Sequence, residues 1–159
     1  MHDDVQIHTT RLDAAANPEL MALAKAGAAA FGYTAELALS RHLAQLLRLR
    51  VAQINNCSYC LNVHYDAARS VGIHRAKIDF LSAWWATQLF SEAERAALQY
   101  TEALTRTADT TVARAFQQYH DSLAAHFDEP AMLEIVAVVI NMNIWTRLKL
   151  AEGAMPSIS

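Results

Sequence analysis

The sequence predicts an all-α fold, and three observations carry the prediction. Four glycines and three prolines in 159 residues leave little material for the many turns a β protein needs. Strand-like alternation is scarce, and the stretches between breaks are rich in Ala, Leu, Gln, Glu and Arg, which favour helix. The length suits one hydrophobic core, so a single domain over 1–159 is expected, with its core at about 17–152.

The breaks divide this domain into about six to seven helices. Asn17-Pro18 reads as an N-cap followed by proline at the first helical position, opening a helix that stops near Gly32. Thr34 is expected to cap the next, running through Leu39, Leu43, Leu46, Leu47 and Val51 toward Asn55-Asn56. A helix starting near Cys57 ends at Gly72, a natural C-cap, and another covers roughly 75 to 87. Ser91-Glu92-Ala93-Glu94 fits a capping box, and the helix behind it reaches about Arg106. Thr110 or Thr111 starts a further helix to about Phe127, and Asp128-Glu129-Pro130 starts the last, to about Glu152. Residues 1–16 and the tail after Gly153 read as arms. No repeat, linker or low-complexity tract interrupts the chain.

Composition narrows the function classes. The net charge is −3, and no Lys/Arg cluster forms the basic stripe that nucleic acid or an anionic membrane surface would need. The start, Met1-His2-Asp3-Asp4-Val5, lacks the positive and apolar regions of a signal peptide, and no uninterrupted run of about 18 apolar residues suggests a bilayer span. A cytoplasmic protein is expected. Apolar residues make up 53% and charged residues 18%, an excess of apolar surface that points to a second subunit. Adjacent Trp84 and Trp85 point about 100° apart on a helix, so one of them is expected to face a partner.

The chemistry lies in Arg48-Leu49-Arg50-Val51-Ala52-Gln53-Ile54-Asn55-Asn56-Cys57-Ser58-Tyr59-Cys60-Leu61-Asn62-Val63-His64. A structural disulfide between the only two cysteines would close a tiny loop and restrain little of the unfolded chain. On a helix, Cys57, Cys60 and His64 fall at i, i+3 and i+7, within about 60° of one another. The thiols can then form a disulfide, and His64 lies one turn beyond Cys60, where it can take that thiol's proton. Asn55 or Asn56 is expected to cap the helix, putting both cysteines near its positive end. Lowering a thiol pKa from ~8.5 to ~7 raises the thiolate fraction at pH 7.4 from about 7% to roughly 70%. The expected chemistry is thiolate attack on a peroxide oxygen or disulfide sulfur, closure of a Cys57–Cys60 disulfide, and reset by an external reductant.

This segment resembles the alkylhydroperoxidase D-like proteins of the carboxymuconolactone decarboxylase superfamily. Their core reads Leu-Arg-x-Ser/Ala-Gln-Ile-Asn-Gly-Cys-x-x-Cys-x-x-x-His, and Leu49 to His64 matches it with Asn56 in place of the glycine. The likeness extends, less specifically, through Phe90–Arg95, Glu102–Thr105, and Ile140–Asn143 with Arg147, covering roughly 20 to 150. It implies a compact multi-helix domain assembled as a homo-oligomer, trimer or hexamer. It implies a thiol-dependent peroxidase of peroxiredoxin-type activity in antioxidant defence. Cys60 would attack an organic hydroperoxide, Cys57 would resolve, and His64 would join the relay that deprotonates Cys60. A dithiol, lipoyl or thioredoxin-like reductant would supply electrons, with no cofactor. One position departs from the family pattern. Twelve residues before Cys57, where the family usually has a glutamate, stands Gln45, which cannot accept a proton near neutral pH. Either His64 works alone or another carboxylate substitutes, Glu36 and Asp66 being the local candidates. Weaker turnover than in a glutamate-bearing relative is expected.

Other readings compete. The cysteines could be small buried apolar residues, or with His64 could offer three zinc ligands, though no second Cys/His cluster is evident. Covalent haem attachment needs histidine directly after the second cysteine, where Leu61 stands. His42, His74, His120 and His126 lack such a partner and read as structural, Arg48 and Arg50 as ion-pair or subunit-contact residues, Tyr59 as a packing residue or the rim of the site. The alternatives in function are a redox sensor or scaffold whose disulfide changes its assembly, and a lactone-directed decarboxylase or lyase.

Overall fold

The computed structural model describes residues 11–157, among which there is no strand. The helices are α1 (Pro18–Phe31), α2 (Arg41–Ile54), α3 (Ser58–Ser70), α4 (Arg75–Asp79), α5 (Glu92–Thr105), α6 (Thr110–Arg114), α7 (Phe116–Ala124) and α8 (Glu129–Glu152), with 3₁₀ turns at Ala14–Ala16 and Leu81–Ala86. The centre is α2. Every residue from Leu43 to Ala52 is buried, and the helix packs against α3, α5 and α8. Leu46, Leu47, Leu49, Leu98, Leu123, Ile135 and Val138 fill the main core, each contributing about 1.5–3 kcal/mol through burial. A helix so enclosed must also bury polar side chains, and α2 buries Gln45, Arg48 and Arg50.

The local signals set several helix ends. Asn17 caps α1 through Oδ1, which accepts from the Leu20 N–H at 2.9 Å, and Ser91 and Glu94 form the full capping box of α5. Asp128 caps α8, and Gly153 ends it in the left-handed region at φ 69°.

Elsewhere tertiary contacts overrule the local pattern. The helix expected from Thr34 begins only at Arg41, capped by Ser40. Glu134 of α8 takes the backbone N–H groups of Ala38 and Leu39 on its carboxylate at 3.0 and 2.9 Å, which holds this segment out of a helix. The helix expected over 75–87 breaks after Asp79 and kinks at Ala83. There the Arg95 guanidinium donates to the carbonyls of Trp84, Trp85 and Thr87. The helix expected from Thr110 to Phe127 divides at Ala115.

The segments read as arms pack against the body where they are described. The Arg11 N–H donates to the Glu152 carbonyl and its guanidinium to the Leu150 carbonyl, both at 2.9 Å. At the other end the Ser157 N–H donates to Asn62 Oδ1 at 2.9 Å. The rest of the N-terminal arm, 1–10, lies outside the described residues. By length and composition α8 is apolar enough to cross a membrane, although Glu134 and Arg147 interrupt its apolar run. In this fold it packs against α1, α2 and α5.

Candidate functional site

The chain enters α3 through a sharp reversal. Asn55 closes α2, and Asn56 adopts φ 52°, a left-handed conformation that asparagine tolerates better than most residues. Cys57 itself is the N-cap of α3, rather than Asn55 or Asn56, because the reversal consumes both asparagines. Its Sγ accepts from the Cys60 N–H at 3.3 Å. The predicted residues do gather. Cys57, Cys60, His64 and Gln45 are all buried, at 1%, 3%, 7% and 1% exposure, and both cysteines are free thiols.

The two thiols are not equivalent. The Cys57 pKa is lowered to about 7, first by the hydrogen bond from the Cys60 side chain, then by the Cys60 and Tyr59 backbone N–H groups and Lys149, against an opposing effect of burial. Cys60 is raised, because its thiol donates to Cys57, is buried and sits beside the Cys57 charge; Thr146 and Lys149 act the other way. The reduced pair therefore holds its negative charge on Cys57, whereas the sequence reading has Cys60 as the activated thiol.

His64 lies in a network that fixes its protons. The Gln45 Nε2 group is 3.1 Å from His64 Nδ1 and 3.1 Å from the His64 backbone carbonyl, and Arg48 donates to Gln45 Oε1 at 3.4 Å. The carbonyl demands a donor and the guanidinium demands an acceptor, so only one orientation of the Gln45 amide serves both. Nε2–H then donates to Nδ1, and the ring proton resides on Nε2. Burial, with help from the Arg48 charge, lowers the His64 pKa to about 4. At neutral pH His64 is an uncharged ring whose free edge is a donor. The proposed substitutes for the missing glutamate lie elsewhere, since Glu36 pairs with Arg41 and Asp66 with Arg69, all four well exposed.

Cys60 and His64 open on a cavity of about 240 Å³ walled by Tyr33, Val63, Met142 and Trp145, with Arg48 and Lys149 among its lining. The edge of the Tyr33 ring meets the His64 ring at a centroid distance of 5.8 Å. Cys57 opens instead on a separate groove of about 100 Å³ beside Arg11 and the segment Gly153–Met155. Tyr59 and Lys149 line both spaces, and the Lys149 ammonium stands 5.1 Å over the Tyr59 ring. Among the described residues, no group of three or more His, Cys, Asp or Glu gathers in the manner of a metal site.

Sequence reasoning passed over Arg48 as a site residue. Its position three residues after Gln45 on one helix face was the available signal. Its NH2 group also donates to the Phe31 and Gly32 carbonyls at 3.1 and 3.0 Å. Arg50 does pair as expected, with Glu102 at 2.7 Å, and that carboxylate also accepts from Trp84 Nε1 at 2.8 Å. Tyr33, Trp145 and Lys149 come from distant segments and left no local signal.

Residues 18–103 match the sequence profile of the carboxymuconolactone decarboxylase family. The uncharacterized protein YdfG of Bacillus subtilis is 31% identical over 121 residues, covering 76% of this chain and 80% of its own. A crystal structure from Agrobacterium tumefaciens, of a protein of unknown function proposed as the antioxidant defence protein AhpD, superposes with a TM-score of 0.84. It is 26% identical, over 95% of this chain and all of that one. The debrominase Bmp8, solved with 2,3,4-tribromopyrrole, shares the fold at a TM-score of 0.72 and 20% identity, over 98% of this chain and 94% of that one.

Proposed function

This chain belongs to the carboxymuconolactone decarboxylase family, in its AhpD-like branch, and from that premise we propose that it is a thiol-dependent hydroperoxide reductase acting through Cys57 and Cys60. The observation that carries the proposal is a buried pair of free thiols with a Cys57 pKa of about 7, beside a mostly apolar cavity that Cys60 shares with His64. The walls from Val63, Met142 and Trp145 suit the apolar part of an organic hydroperoxide, and the antioxidant role proposed for the Agrobacterium relative points the same way.

The site suggests a division of labour without a glutamate relay. Cys57 thiolate accepts the Cys60 proton as Cys60 sulfur attacks the peroxide. The O–O bond breaks, Cys60 becomes a sulfenic acid, and the alkoxide takes a proton from solvent. The Nε2–H of His64 offers that oxygen a hydrogen bond. Cys57 then attacks the sulfenic sulfur and releases water, closing the disulfide. Together the steps convert two thiols and one hydroperoxide into a disulfide, an alcohol and water. A reducing compartment and an external dithiol complete the cycle. In a decarboxylase or lyase the redox pair would have no task. A redox sensor would use the same disulfide without turnover, and the uncharged Gln45 favours that as the second reading.

Stopped-flow oxidation of the reduced protein by cumene hydroperoxide tests the proposal, with Cys60→Ser and Cys57→Ser alongside. The expected result is a fast reaction ending in a Cys57–Cys60 disulfide, absent in Cys60→Ser, with a rate that climbs with pH through about 7 as Cys57 ionises. A rate no better than that of a free thiol would discard the peroxidase reading in favour of redox sensing.

A further inference from the structure

The cavity at Cys60 carries positive charge among its apolar walls. Arg48 and Lys149 belong to its lining, and no aspartate or glutamate joins them. We propose that this cavity is a site for an organic carboxylate, so that the preferred hydroperoxide is an acid whose carboxylate Arg48 and Lys149 hold while its apolar body fills the space beside Cys60. The inference rests on the peroxidase reading above and adds the substrate class.

The decisive group is Arg48, only 3% exposed. It donates to the Gln45 amide oxygen and to the Phe31 and Gly32 carbonyls, all of them neutral. Among the described residues no carboxylate pairs with it, and its Nε–H has no acceptor. Burial lowers its pKa only to about 10, so the guanidinium stays charged at neutral pH. Neutral dipoles satisfy its N–H groups without cancelling that charge, and a buried charge with no counter-charge is costly. A ligand carboxylate entering the cavity would supply both the missing acceptor and the missing charge.

The rest of the wall is biased the same way, toward donors. Trp145 Nε1 is a second buried N–H without an acceptor among the described residues, and His64 offers its free Nε2–H edge. Asn141 Oδ1 is turned against Gly27, where a Cβ would stand 2.9 Å from it, which leaves Nδ2 as the half of the amide for the cavity. The Lys149 ammonium stands 5.1 Å from the Tyr59 ring and 5.6 Å from the Trp145 ring. It shares its charge with Glu152 at 2.9 Å, a residue outside the cavity lining. A neutral hydroperoxide needs one donor at its leaving oxygen and has no use for two cations, whereas an ammonium-bearing one would be repelled by them.

The test first measures binding to the reduced protein, without peroxide, of three ligands built on one tail: 3-phenylpropanoate, 3-phenylpropanol and 3-phenylpropylammonium. Titration calorimetry is expected to show the carboxylate binding about 10-fold more tightly than the alcohol, with the ammonium weakest. Arg48→Met and Lys149→Met should each cut the advantage of the carboxylate by about 5-fold. The Lys149 side chain is 22% exposed, so its variant keeps the test readable if Arg48→Met does not fold. Equal affinities for carboxylate and alcohol would overturn the inference. A preference that no folded variant reduces would place the anion elsewhere on the protein and overturn it as well. The second measurement compares oxidation by cumene hydroperoxide with oxidation by its 4-carboxylate, which is expected to react about 5-fold faster in wild type and to lose that advantage in Lys149→Met. Equal rates, with the binding preference intact, would overturn the substrate assignment. Failure of both hydroperoxides to oxidise the thiols, with the carboxylate still bound, would count against the peroxidase reading alone and leave the carboxylate site standing.

Discussion

At the scale of single residues, the replacement of a glutamate by Gln45 does more than remove a proton acceptor. A carboxylate at that position would accept from Nδ1–H and leave Nε2 free as a base, whereas the Gln45 amide donates to Nδ1 and turns Nε2 into a donor. Arg48 enforces this by claiming the amide oxygen. Gln45→Glu is therefore expected to move the ring proton to Nδ1, to raise the His64 pKa above its present value of about 4, and to speed peroxide oxidation several-fold. Long-range ¹H–¹⁵N NMR of the imidazole reads the tautomer directly, and an unchanged Nε2–H form in the variant would refute this reading of the network. The same ring sets a pH dependence of stability. Its folded pKa of about 4 lies below the 6.5 of a free histidine, so between those values the unfolded chain binds a proton that the folded chain does not. The stability is complete above about pH 6.5, falls as pH drops, and has lost about 3 kcal/mol from this group once pH passes below about 4. Urea unfolding at pH 7 and pH 5 should show a loss that His64→Gln reduces; parallel losses in the two proteins would contradict it.

At the scale of elements, the junction after α1 holds the site from below. Gly32 ends that helix, and a Cβ there would stand 2.4 Å from the Ala28 carbonyl oxygen, a backbone atom with no room to yield. Its own carbonyl accepts from Arg48, so a shift of this turn reaches Gln45 and then His64. Gly32→Ala is expected to cost about 2 kcal/mol through this overpacking, with a change in the His64 NMR signals. A melting temperature within a degree of wild type, with those signals unmoved, would show the turn to be tolerant. The reversal between α2 and α3 works similarly. Asn56 takes the left-handed conformation, and Cys57 receives the first free N–H groups of α3 as a consequence.

At the scale of the molecule, α8 is apolar on more sides than one domain can cover. Leu133 and Ile140 remain 60% and 55% exposed, and Ile140 with Leu104, Val136 and Ile144 lines a shallow groove between α5 and α8. Trp85 is 65% exposed while its neighbour Trp84 is buried, which leaves Trp85 as the one of the pair that a second subunit could cover. Such a surface favours self-association, and a trimer or hexamer is the expected assembly. Light scattering behind size exclusion should show it, and Ile140→Arg should shift it toward monomer. A wild-type monomer at micromolar concentration would remove the idea.

The sequence by itself determined the helical class, the caps at Asn17, Ser91 and Asp128, and the clustering of Cys57, Cys60 and His64. These are matters of local periodicity, capping chemistry and spacing, which a chain carries in consecutive residues. It did not contain the breaks at 34–40 and 80–83, because those are imposed by Glu134 and Arg95 from distant helices. Nor did it contain which thiol holds the charge. Helical spacing makes Cys57 and Cys60 look alike, and only the folded chain makes one the N-cap of α3 beside a narrow groove and the other the wall of a cavity. Burial, tautomer and access depend on what packs from elsewhere in the chain, and only the tertiary structure decides that.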